Sequence, residues 1–368
     1  MQKPEISVII PAYNIGSYIG KCLDSVLAQD IFDQGYMEII VVDDGSSDET
    51  PAVLDSYAKE HEQIHVIHKK NAGVSAARND GMEIAQGKYI FFFDGDDFEE
   101  SYTCREISEL ADQYDADAVI YGYYRYEDGK IRESCLPAFD QKVYEGEDIA
   151  EKVLPAFVGL CDADINHWIA GEKRALYVEN PALWRIMLRR DVILKNHLRF
   201  DTTLKVGEDT VFITDYLSCA SKCVVQQKCY YYLVTRESSA IFQYEKKPMQ
   251  KLQGKKALMD AREALTARVM ERCGRDITAA WEGTTVMSAV EMAFLLSKKS
   301  PQLTGRERYK AYRSYVDDPR VIKMVTEFTP GAGSGVKRIP FLLMKKKMFG
   351  LLFAATAFLH VIGYEFKR

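Results

Sequence analysis

Residues 88–100 read KYIFFFDGDDFEE and join a short apolar run to a cluster of carboxylates. Tyr89–Phe93 holds only aromatic and β-branched side chains, which is typical of a strand buried on both faces. Asp94, Asp96 and Asp97 follow at once, with a glycine that permits a tight turn between the first two. Open α/β sheets bind ligands at the carboxyl ends of their strands. Such carboxylates suit Mg²⁺ or Mn²⁺ beside a phosphorylated substrate, although a solvated acidic loop explains this motif alone equally well.

The composition is that of an ordinary folded protein. The 368 residues are 47% hydrophobic and 28% charged, enough for one large domain with an appendage or for two modest domains. A net charge of −6 argues against a nucleic-acid partner, which requires a basic surface. The eight cysteines include no CxxC pair, which favours reduced, buried thiols in a cytosolic protein over a zinc site at Cys219, Cys223 and Cys229. The N-terminal sequence predicts no signal peptide.

The first hundred residues alternate apolar runs with helical spacing. Helical patterns, such as the one over Ser17–Ala28, separate runs that are typical of buried strands. The strand-like runs are Ile6–Ile10, Glu38–Val42, Ile64–His68 and Tyr89–Phe93. Strands that recur about every 30 residues with helices between them predict an α/β fold with a doubly wound, mostly parallel, Rossmann-like sheet.

Polar side chains follow three of these strands. Tyr13 follows the first strand, Asp43 and Asp44 end the second, and the acidic turn at Asp94 and Asp96 ends the fourth. If the strands are parallel, these side chains converge on one edge of the sheet. Carboxylates gathered there suit a site that binds a base or ribose and holds a metal–diphosphate. No GxGxxG follows the first strand and no GxxxxGK[ST] loop is present, which excludes both common nucleotide fingerprints.

The C-terminal half is less regular and largely helical. Ala182–Leu194 has the spacing of a helix, and residues 251–328 predict several more. Glu208 and Asp209 open another predicted helix, and on their own they are better explained as partners of the helix dipole than as catalytic groups.

The last residues form a basic and apolar tail. Val336–Arg368 begins with several lysines and arginines and continues with an uncharged apolar run over residues 348–363. A spanning helix needs about 20 apolar residues, so this run is short. We expect peripheral membrane contact through 336–363, with a helix in the membrane interface. A helix packed on its own domain or on a partner subunit of a homo-oligomer remains the alternative.

Taken together, these segments resemble the family 2 glycosyltransferases, the inverting GT-A enzymes of bacterial polysaccharide synthesis. The resemblance covers roughly Ile6 to Ser239. Each segment alone is a weak signal, but the occurrence of all of them in this order is specific to the family. They are ISVIIPAYN (6–14), IIVVDDGSSDET (39–50), KKNAGVSAARNDG (69–81), YIFFFDGDD (89–97), LWRIMLRRDVI (183–193) and GEDTVF (207–212). The implied organisation is a GT-A nucleotide-sugar-binding and catalytic domain at 1–240, a helical region at 241–330 and the tail at 331–368.

The resemblance implies a nucleotide-sugar donor, UDP-linked above all, and Mn²⁺ or Mg²⁺ as the cofactor. It implies that one group of residues binds the donor: Ala12, Tyr13, Asp43 and Asp44 at the base, Asn71, Gly73 and Arg78 at the ribose and diphosphate, and Asp94 and Asp97 near them. Arg236 is a further candidate because its charge would offset that of the diphosphate, and the alternative is that it pairs with Glu237 or faces solvent. Asp96, with Asp94, would hold the metal. The family's Glu-Asp (ED) pair maps to Glu208 and Asp209, and the resemblance assigns Asp209 as the general base. This reverses the interpretation given above, in which both residues only cap the helix and interact with its dipole.

The implied activity is transfer of a sugar to a hydroxyl of a glycan or lipid-linked acceptor in cell-surface polysaccharide synthesis, such as that of a capsule. No QxxRW motif or multi-span region is present, which favours single additions in the cytoplasm, at the inner face of the membrane, over processive synthesis. Two alternatives remain. One is an inactive glycan-binding or scaffold protein. The other is a sugar-nucleotidyltransferase, which is disfavoured because PAYNIGSY lacks a glycine-rich, basic loop.

Overall fold

The computed structural model describes residues 4–172, 181–236, 247–333 and 335–362. The chain divides into two compact units. The first consists of Met1–Leu154 and Glu179–Glu237, and the second of Pro155–Val178 and Ser238–Arg368. This division differs from the sequence-based one because 155–178 joins the second unit and the tail is not a unit of its own.

The strands and helices alternate through the first unit, whereas the second unit is helical in its described residues. The strands are β1 (Ile6–Ala12), β2 (Met37–Asp43), β3 (Ile64–His68), β4 (Tyr89–Phe92), β5 (Phe98–Glu99), β6 (Ala118–Glu127), β7 (Lys130–Cys135), β8 (Val143–Glu145), β9 (Ile186–Arg189) and β10 (Lys222–Val234). The α-helices are α1 (Gly16–Leu27), α2 (Thr50–Glu60), α3 (Val74–Ile84), α4 (Thr103–Tyr114), α5 (Leu154–Val158), α6 (Asp162–Ala170), α7 (Arg190–Lys195), α8 (Glu208–Leu217), α9 (Pro248–Cys273), α10 (Glu282–Ser297), α11 (Gly305–Val316), α12 (Pro319–Glu327), α13 (Gly335–Lys345) and α14 (Phe349–Val361).

One mixed sheet organises the first unit. Its strand order is β3-β2-β1-β4-β9-β6-β10-β5, with β7 beside β6 and β8 beside β10. The neighbours β3, β2, β1 and β4 are parallel, as are β6 and β10, while β9 is antiparallel to both β4 and β6. The predicted doubly wound, mostly parallel α/β fold is confirmed.

Helices cover both faces of the parallel strands, which explains the unbroken apolar runs. Ile10 joins a core with Ile19 and Leu23 of α1. Ile9 points to the opposite face, where Gly81 of α3 lies so close that a Cβ there would come within 2.5 Å of Ile9 Cγ2. Because neither face meets water, alternation of apolar and polar residues is not required along these strands.

The helix predicted over Ala182–Leu194 is wrong. The chain instead forms a 3₁₀ turn at Leu183–Arg185, the strand β9 and the short helix α7. Consecutive side chains from Ile186 to Leu188 are fully buried, which a strand between β4 and β6 allows. A surface helix would expose some of them, so tertiary pairing overrides the helical spacing.

In the second unit, α10 packs against α6, α9, α11, α12 and both tail helices. Its apolar and small residues are almost all buried, which agrees with its central place. The tail helix α14 lies on α10, where Thr356 Oγ1 donates to the carbonyl of Ala293 (3.2 Å) and His360 Nε2 is 2.7 Å from the carbonyl of Phe294. The tail therefore packs on its own unit, the alternative that the sequence left open.

Candidate active site

The loops after β1 and β2 are joined at the carboxyl edge of the sheet. The amide of Asp44 donates to the carbonyl of Ala12 at 2.8 Å. Asn14 links the same loops, because its amide donates to Ser46 Oγ (3.0 Å) and its Oδ1 accepts from the amide of Ser47 (2.8 Å). Tyr13 lies between these contacts with 51% of its surface exposed. An exposed aromatic ring at a strand end is available to stack on a planar ligand.

Asp44 shapes the loop that precedes α3. Its two carboxylate oxygens accept from the amides of Ala72 (2.8 Å) and Gly73 (2.7 Å). Gly73 has a φ of +94°, a conformation that side-chain-bearing residues rarely adopt. Gly45 approaches closely from the other side, since a Cβ there would lie 2.7 Å from the amide nitrogen of Asn71. The predicted donor-binding residues Asp44, Asn71 and Gly73 thus belong to one connected pair of loops.

Asp43 faces the neighbouring strand. Its carboxylate accepts from the amide of Ser46 (3.0 Å) and lies 2.8 Å from His68 Nδ1. Burial acts to raise the pKa of Asp43, but the hydrogen bonds from Ser46 and His68 prevail and lower it. Asp43 is therefore held as a carboxylate that stabilises the loop after β2.

Arg78 of α3 brings together carboxylates from two distant segments. Its Nη1 lies 2.6 Å from Asp209 Oδ1 and 3.3 Å from Glu208 Oε1, and its Nη2 lies 3.3 Å from Asp94 Oδ1. The arginine is only 4% exposed. Burial acts to lower its pKa, but the charges of Asp209, Asp94 and Glu208 raise it. The end of β4 and the start of α8 therefore meet at one buried guanidinium.

Asn79, the residue after Arg78, fixes the segment that leads to α8. Its side chain donates to the carbonyl of Phe200 (3.0 Å) and accepts from the amide of the same residue (2.9 Å). The Phe200 ring stacks on Phe212 of α8 at 3.9 Å between centroids. Two adjacent residues of α3 thus position α8, one through its charge and one through backbone contacts. Sequence reasoning did not assign this role to Asn79.

Asp209 is a carboxylate with unusual basicity. Burial raises its pKa to about 7, and the charges of Glu208 and Asp94 add to this, while Arg78 acts in the opposite direction. Its side chain keeps 21% of its surface exposed. A carboxylate with a pKa near neutrality is suited to accept a proton.

Asp96 pairs with a cation at the end of β10. Arg236 Nη2 contacts Asp96 Oδ2, and the guanidinium lies over the ring of Tyr18 at 3.8 Å. Burial and the nearby charge of Asp94 raise the pKa of Asp96 to about 6, although Arg236 opposes this. Tyr18, which supports Arg236, was missed by sequence reasoning because it has the pattern of an ordinary helix residue.

The acidic turn supplies hard oxygen ligands but no complete metal site. Within the described ranges, no three histidine, cysteine or acidic side chains come together in a way that could hold a metal ion. Asp94 and Asp96 nevertheless fit Mg²⁺ or Mn²⁺, because Asp96 already holds the positive Arg236 and carboxylates are the ligands these ions prefer. Two protein carboxylates completed by substrate phosphates are a common arrangement for such ions.

Asp97 is engaged by residues of β10. Its carboxylate accepts from the hydroxyl of Tyr231 (3.0 Å) and from the amide of Val234 (2.7 Å). The same Tyr231 hydroxyl accepts from the amide of Asp94 at 3.0 Å. Asp97 and Tyr231 therefore anchor the acidic turn to β10. Tyr231 was missed because nothing in the run CYYYLV distinguishes one tyrosine from the next.

Glu99 is a buried acid beneath the turn, and it carries a prediction about stability. In the described part of the chain neither carboxylate oxygen has a hydrogen-bond partner, and burial raises its pKa well above the usual range. The folded protein therefore keeps the proton that the unfolded chain loses above pH about 4.3, so this residue lowers stability as the pH rises. We expect Glu99→Gln to raise the free energy of unfolding by about 1–3 kcal/mol at pH 8 and by much less at pH 4.5.

Urea denaturation at a series of pH values measures this difference. Glu62→Gln, on an exposed residue, is the matched control and should give no pH-dependent difference from the parent chain. A Glu99→Gln effect that does not grow with pH would show that Glu99 is not buried as a neutral acid.

The sequence comparison agrees with this geometry. Residues 7–139, which include Asp44, Arg78, Asp94 and Asp96, match the family described as Glycosyl transferase family 2. The chain carries a family 2 glycosyltransferase domain. The family and the enzyme class predicted from the sequence are thereby confirmed for this domain.

Named relatives of this family 2 domain are glycosyltransferases as well. The uncharacterized glycosyltransferase EpsJ of Bacillus subtilis (strain 168) is 33% identical over 210 residues, 57% of this chain and 55% of that protein. The poly(ribitol-phosphate) beta-glucosyltransferase of Bacillus spizizenii is 29% identical over 239 residues, 63% of this chain and 33% of that protein. The chain thus spans about half of EpsJ and about a third of the glucosyltransferase.

Solved structures show the same fold. The crystal structure of S. aureus TarS 1–349 in complex with UDP-GlcNAc matches with a TM-score of 0.60 and 17% identity, covering 99% of this chain and 93% of that one. The complex of the same protein with UDP matches with a TM-score of 0.54 over the same shares. The family 2 domain described above therefore has the GT-A fold.

Proposed function

We propose that this chain is a metal-dependent inverting glycosyltransferase that moves a sugar from a UDP-linked donor to a hydroxyl of a glycan or lipid-linked acceptor. The observation that carries the proposal is the meeting of Asp94, Glu208 and Asp209 at the buried guanidinium of Arg78. A UDP-linked donor is supported by the UDP and UDP-GlcNAc complexes of TarS, whose fold this chain shares. A role in cell-surface polysaccharide synthesis, such as that of a capsule, is supported by relatives such as the poly(ribitol-phosphate) beta-glucosyltransferase.

The donor's nucleoside would lie on the loops that Asp44 joins. Tyr13 offers an exposed ring for stacking on the base, and Ala12 and Asp43 fix the backbone beneath it. Asn71 and Gly73 form the facing loop, which has room for a ribose because Gly73 has no side chain. In this arrangement Asp44 acts through the backbone of that loop, since both of its oxygens are already engaged there.

The diphosphate would lie near Asp94, Asp96 and Arg236. Asp94 and Asp96 would hold Mg²⁺ or Mn²⁺, which when bound offsets the negative charge that gathers on the departing diphosphate. Arg236, which pairs with Asp96, would add a positive charge beside the diphosphate. Asp97 keeps the turn in place from the side of β10.

Asp209 would be the general base. It takes the proton from the acceptor hydroxyl as that oxygen forms its bond to the anomeric carbon. The bond from the anomeric carbon to the diphosphate breaks at the same time, and the diphosphate departs with the electron pair, so the configuration inverts. Arg78 holds Asp209 in place and favours its ionised form, while Glu208 shares the same guanidinium.

A turnover assay separates this function from its alternatives. The purified chain is incubated with a panel of nucleotide sugars and Mn²⁺ or Mg²⁺, and release of nucleoside diphosphate is measured. We expect release from a UDP-sugar, faster with metal than with chelator. A sugar-nucleotidyltransferase would instead release pyrophosphate from a nucleoside triphosphate and a sugar phosphate. A scaffold protein would release neither, and either result would overturn the proposal.

Arg78 gives a pH-dependent prediction. Because its charge lowers the pKa of Asp209 against the effect of burial, Arg78→Gln should raise that pKa. A general base works when ionised, so the acidic limb of the kcat profile, expected near pH 7 in the parent enzyme, should move to higher pH. We also expect kcat at pH 7 to fall by about a hundredfold. Initial rates at saturating donor from pH 5.5 to 9 measure both effects.

Arg78→Lys is the matched control for this experiment. Lysine keeps a positive charge but has fewer hydrogen-bond donors than arginine. The variant should therefore lose activity, while the acidic limb of its kcat profile stays close to that of the parent enzyme. If the limb stays in place in Arg78→Gln, then Arg78 does not set the ionisation of the base, and its role is limited to packing.

The proposed setting is the cytoplasm, at the inner face of the cell membrane. Lipid-linked acceptors are found at that surface, and a peripheral enzyme could reach them without a spanning segment. A homo-oligomer is compatible with this proposal and is not required by it, because the residues gathered around Arg78 and Asp96 all come from one chain.

A further inference from the structure

The two tail helices expose an apolar surface even though they pack on α10. Along α14 and the residue after it the exposed positions are 350, 351, 354, 355, 358, 361 and 362, which fall on one side of a helix. Phe358 is 63% exposed and Val361 is 76% exposed. We call the tail face the set of large exposed apolar side chains Val336, Ile339 and Leu342 of α13 and Leu351, Phe358 and Val361 of α14.

The tail face exceeds what single exposed residues explain. Isolated apolar side chains are normal on a protein surface, whereas a contiguous apolar patch marks an interaction site. The helix α14 is apolar on both sides: Phe349 and Leu352 are buried against the unit, and Leu351 and Phe358 face outward. A helix of this kind is covered on all sides when it performs its role.

The lysine and arginine side chains of the tail segment itself give it only positive charge. Lys337, Arg338 and Lys345–Lys347 lie on or directly after α13, and no aspartate or glutamate occurs from residue 328 to residue 362. Lys337 and Lys345 donate to backbone carbonyls, so their charges are not neutralised by a carboxylate in the described residues. Lys346 and Lys347 are exposed.

From this combination we infer that the tail face docks the protein on a bilayer that contains anionic lipids. The apolar side chains would enter the region between headgroups and acyl chains, and the lysines would remain beside the lipid phosphates. No helix in the described part of the chain is long and apolar enough to cross a bilayer, so the contact would be with one leaflet. A second copy fits less well, because a two-fold contact places this positively charged patch against itself.

Vesicle binding tests this inference without donor or acceptor, so its failure is separate from failure of the proposed transferase activity. The full chain is sedimented with vesicles of phosphatidylcholine alone and with vesicles that also contain phosphatidylglycerol. We expect binding to the anionic vesicles, weakened by salt, and about tenfold less binding to the neutral ones. Phe358→Ser with Val361→Ser should reduce anionic binding about tenfold or more.

Matched variants keep the test specific. Lys346→Glu with Lys347→Glu should abolish the preference for anionic vesicles, whereas Lys298→Glu with Lys299→Glu, on exposed lysines of the same unit, should not. Met270→Ser is the control for loss of one exposed apolar side chain elsewhere. Thermal melts confirm that each variant is folded. Equal binding to both vesicle types, no binding to either, or a lipid-free dimer that depends on Phe358 would each overturn the inference.

Discussion

Asp209→Asn is expected to lower kcat for sugar transfer by about a thousandfold or more while the dissociation constant of the donor changes little. The amide has nearly the shape of the carboxylate but cannot accept the proton of the acceptor hydroxyl, and a positioned general base contributes about 10²–10⁴ to the rate. Asp209 contacts Arg78 at the start of α8, whereas the proposed donor loops are those of Asp44 and Gly73. Binding and chemistry should therefore separate in this variant.

Initial rates at saturating donor and acceptor measure the loss, and calorimetric titration with UDP and Mn²⁺ measures donor binding. Asp191→Asn, on an exposed residue of α7, is the control for removing a carboxylate without removing the base. Transfer by Asp209→Asn at a rate within tenfold of the parent would remove the base assignment. Loss of donor binding together with activity would place Asp209 in the donor site instead.

Asp96→Asn is expected to lower the rate of transfer at a fixed, low metal concentration by about a thousandfold and to raise the metal concentration needed for half-maximal rate. An amide is a weaker ligand than a carboxylate, and loss of the cation's charge stabilisation costs several kcal/mol in the transition state. The variant also leaves Arg236 without its carboxylate partner. High Mn²⁺ should therefore restore part of the activity but not all of it.

The adjacent residue gives a matched comparison. Asp97→Asn changes the same chemical group one position along the chain, but Asp97 contacts Tyr231 and Val234 rather than Arg236. We expect Asp97→Asn to keep the metal dependence of the parent, because the Asp97 side chain is engaged by Tyr231 and Val234 and not by Arg236. If Asp97→Asn shifts the metal dependence and Asp96→Asn does not, the two roles are the reverse of those assigned.

The sequence predicted the parts of the fold that depend on local pattern. The apolar runs at β1 to β4 and the helices between them are strong signals, because strands buried on both faces need unbroken apolar side chains. The strand β9 could not be predicted in the same way. Its four residues lie in a segment with helical spacing, and only pairing with β4 and β6 makes them a strand.

For the candidate site, the sequence predicted which residues belong to it better than it predicted what each side chain contacts. The resemblance pointed to Asp94, Asp96 and Asp209, and the structure places Asp94 and Asp209 on one guanidinium. What the sequence could not supply is the direction of each side chain. Asp44 and Asp97 have the same type of carboxylate as Asp96, yet their oxygens are engaged by backbone amides and a tyrosine.

The roles of the residues that support the site could not be predicted from the sequence, and the reason is physical. Asn79, Tyr231 and Tyr18 act through contacts with residues that are distant along the chain, and a single sequence carries no record of such pairs. Their residue types are also common on ordinary helices and strands, so composition and spacing give no reason to single them out.

The most direct test of the account is a crystal structure of the chain soaked with UDP and Mn²⁺, with anomalous scattering used to locate the metal. We expect one manganese peak in contact with carboxylate oxygens of Asp94 or Asp96 and with the diphosphate, and a uracil ring beside Tyr13. A nucleotide bound elsewhere, or a manganese peak away from the acidic turn while Asp96 keeps its contact with Arg236, would contradict this expectation.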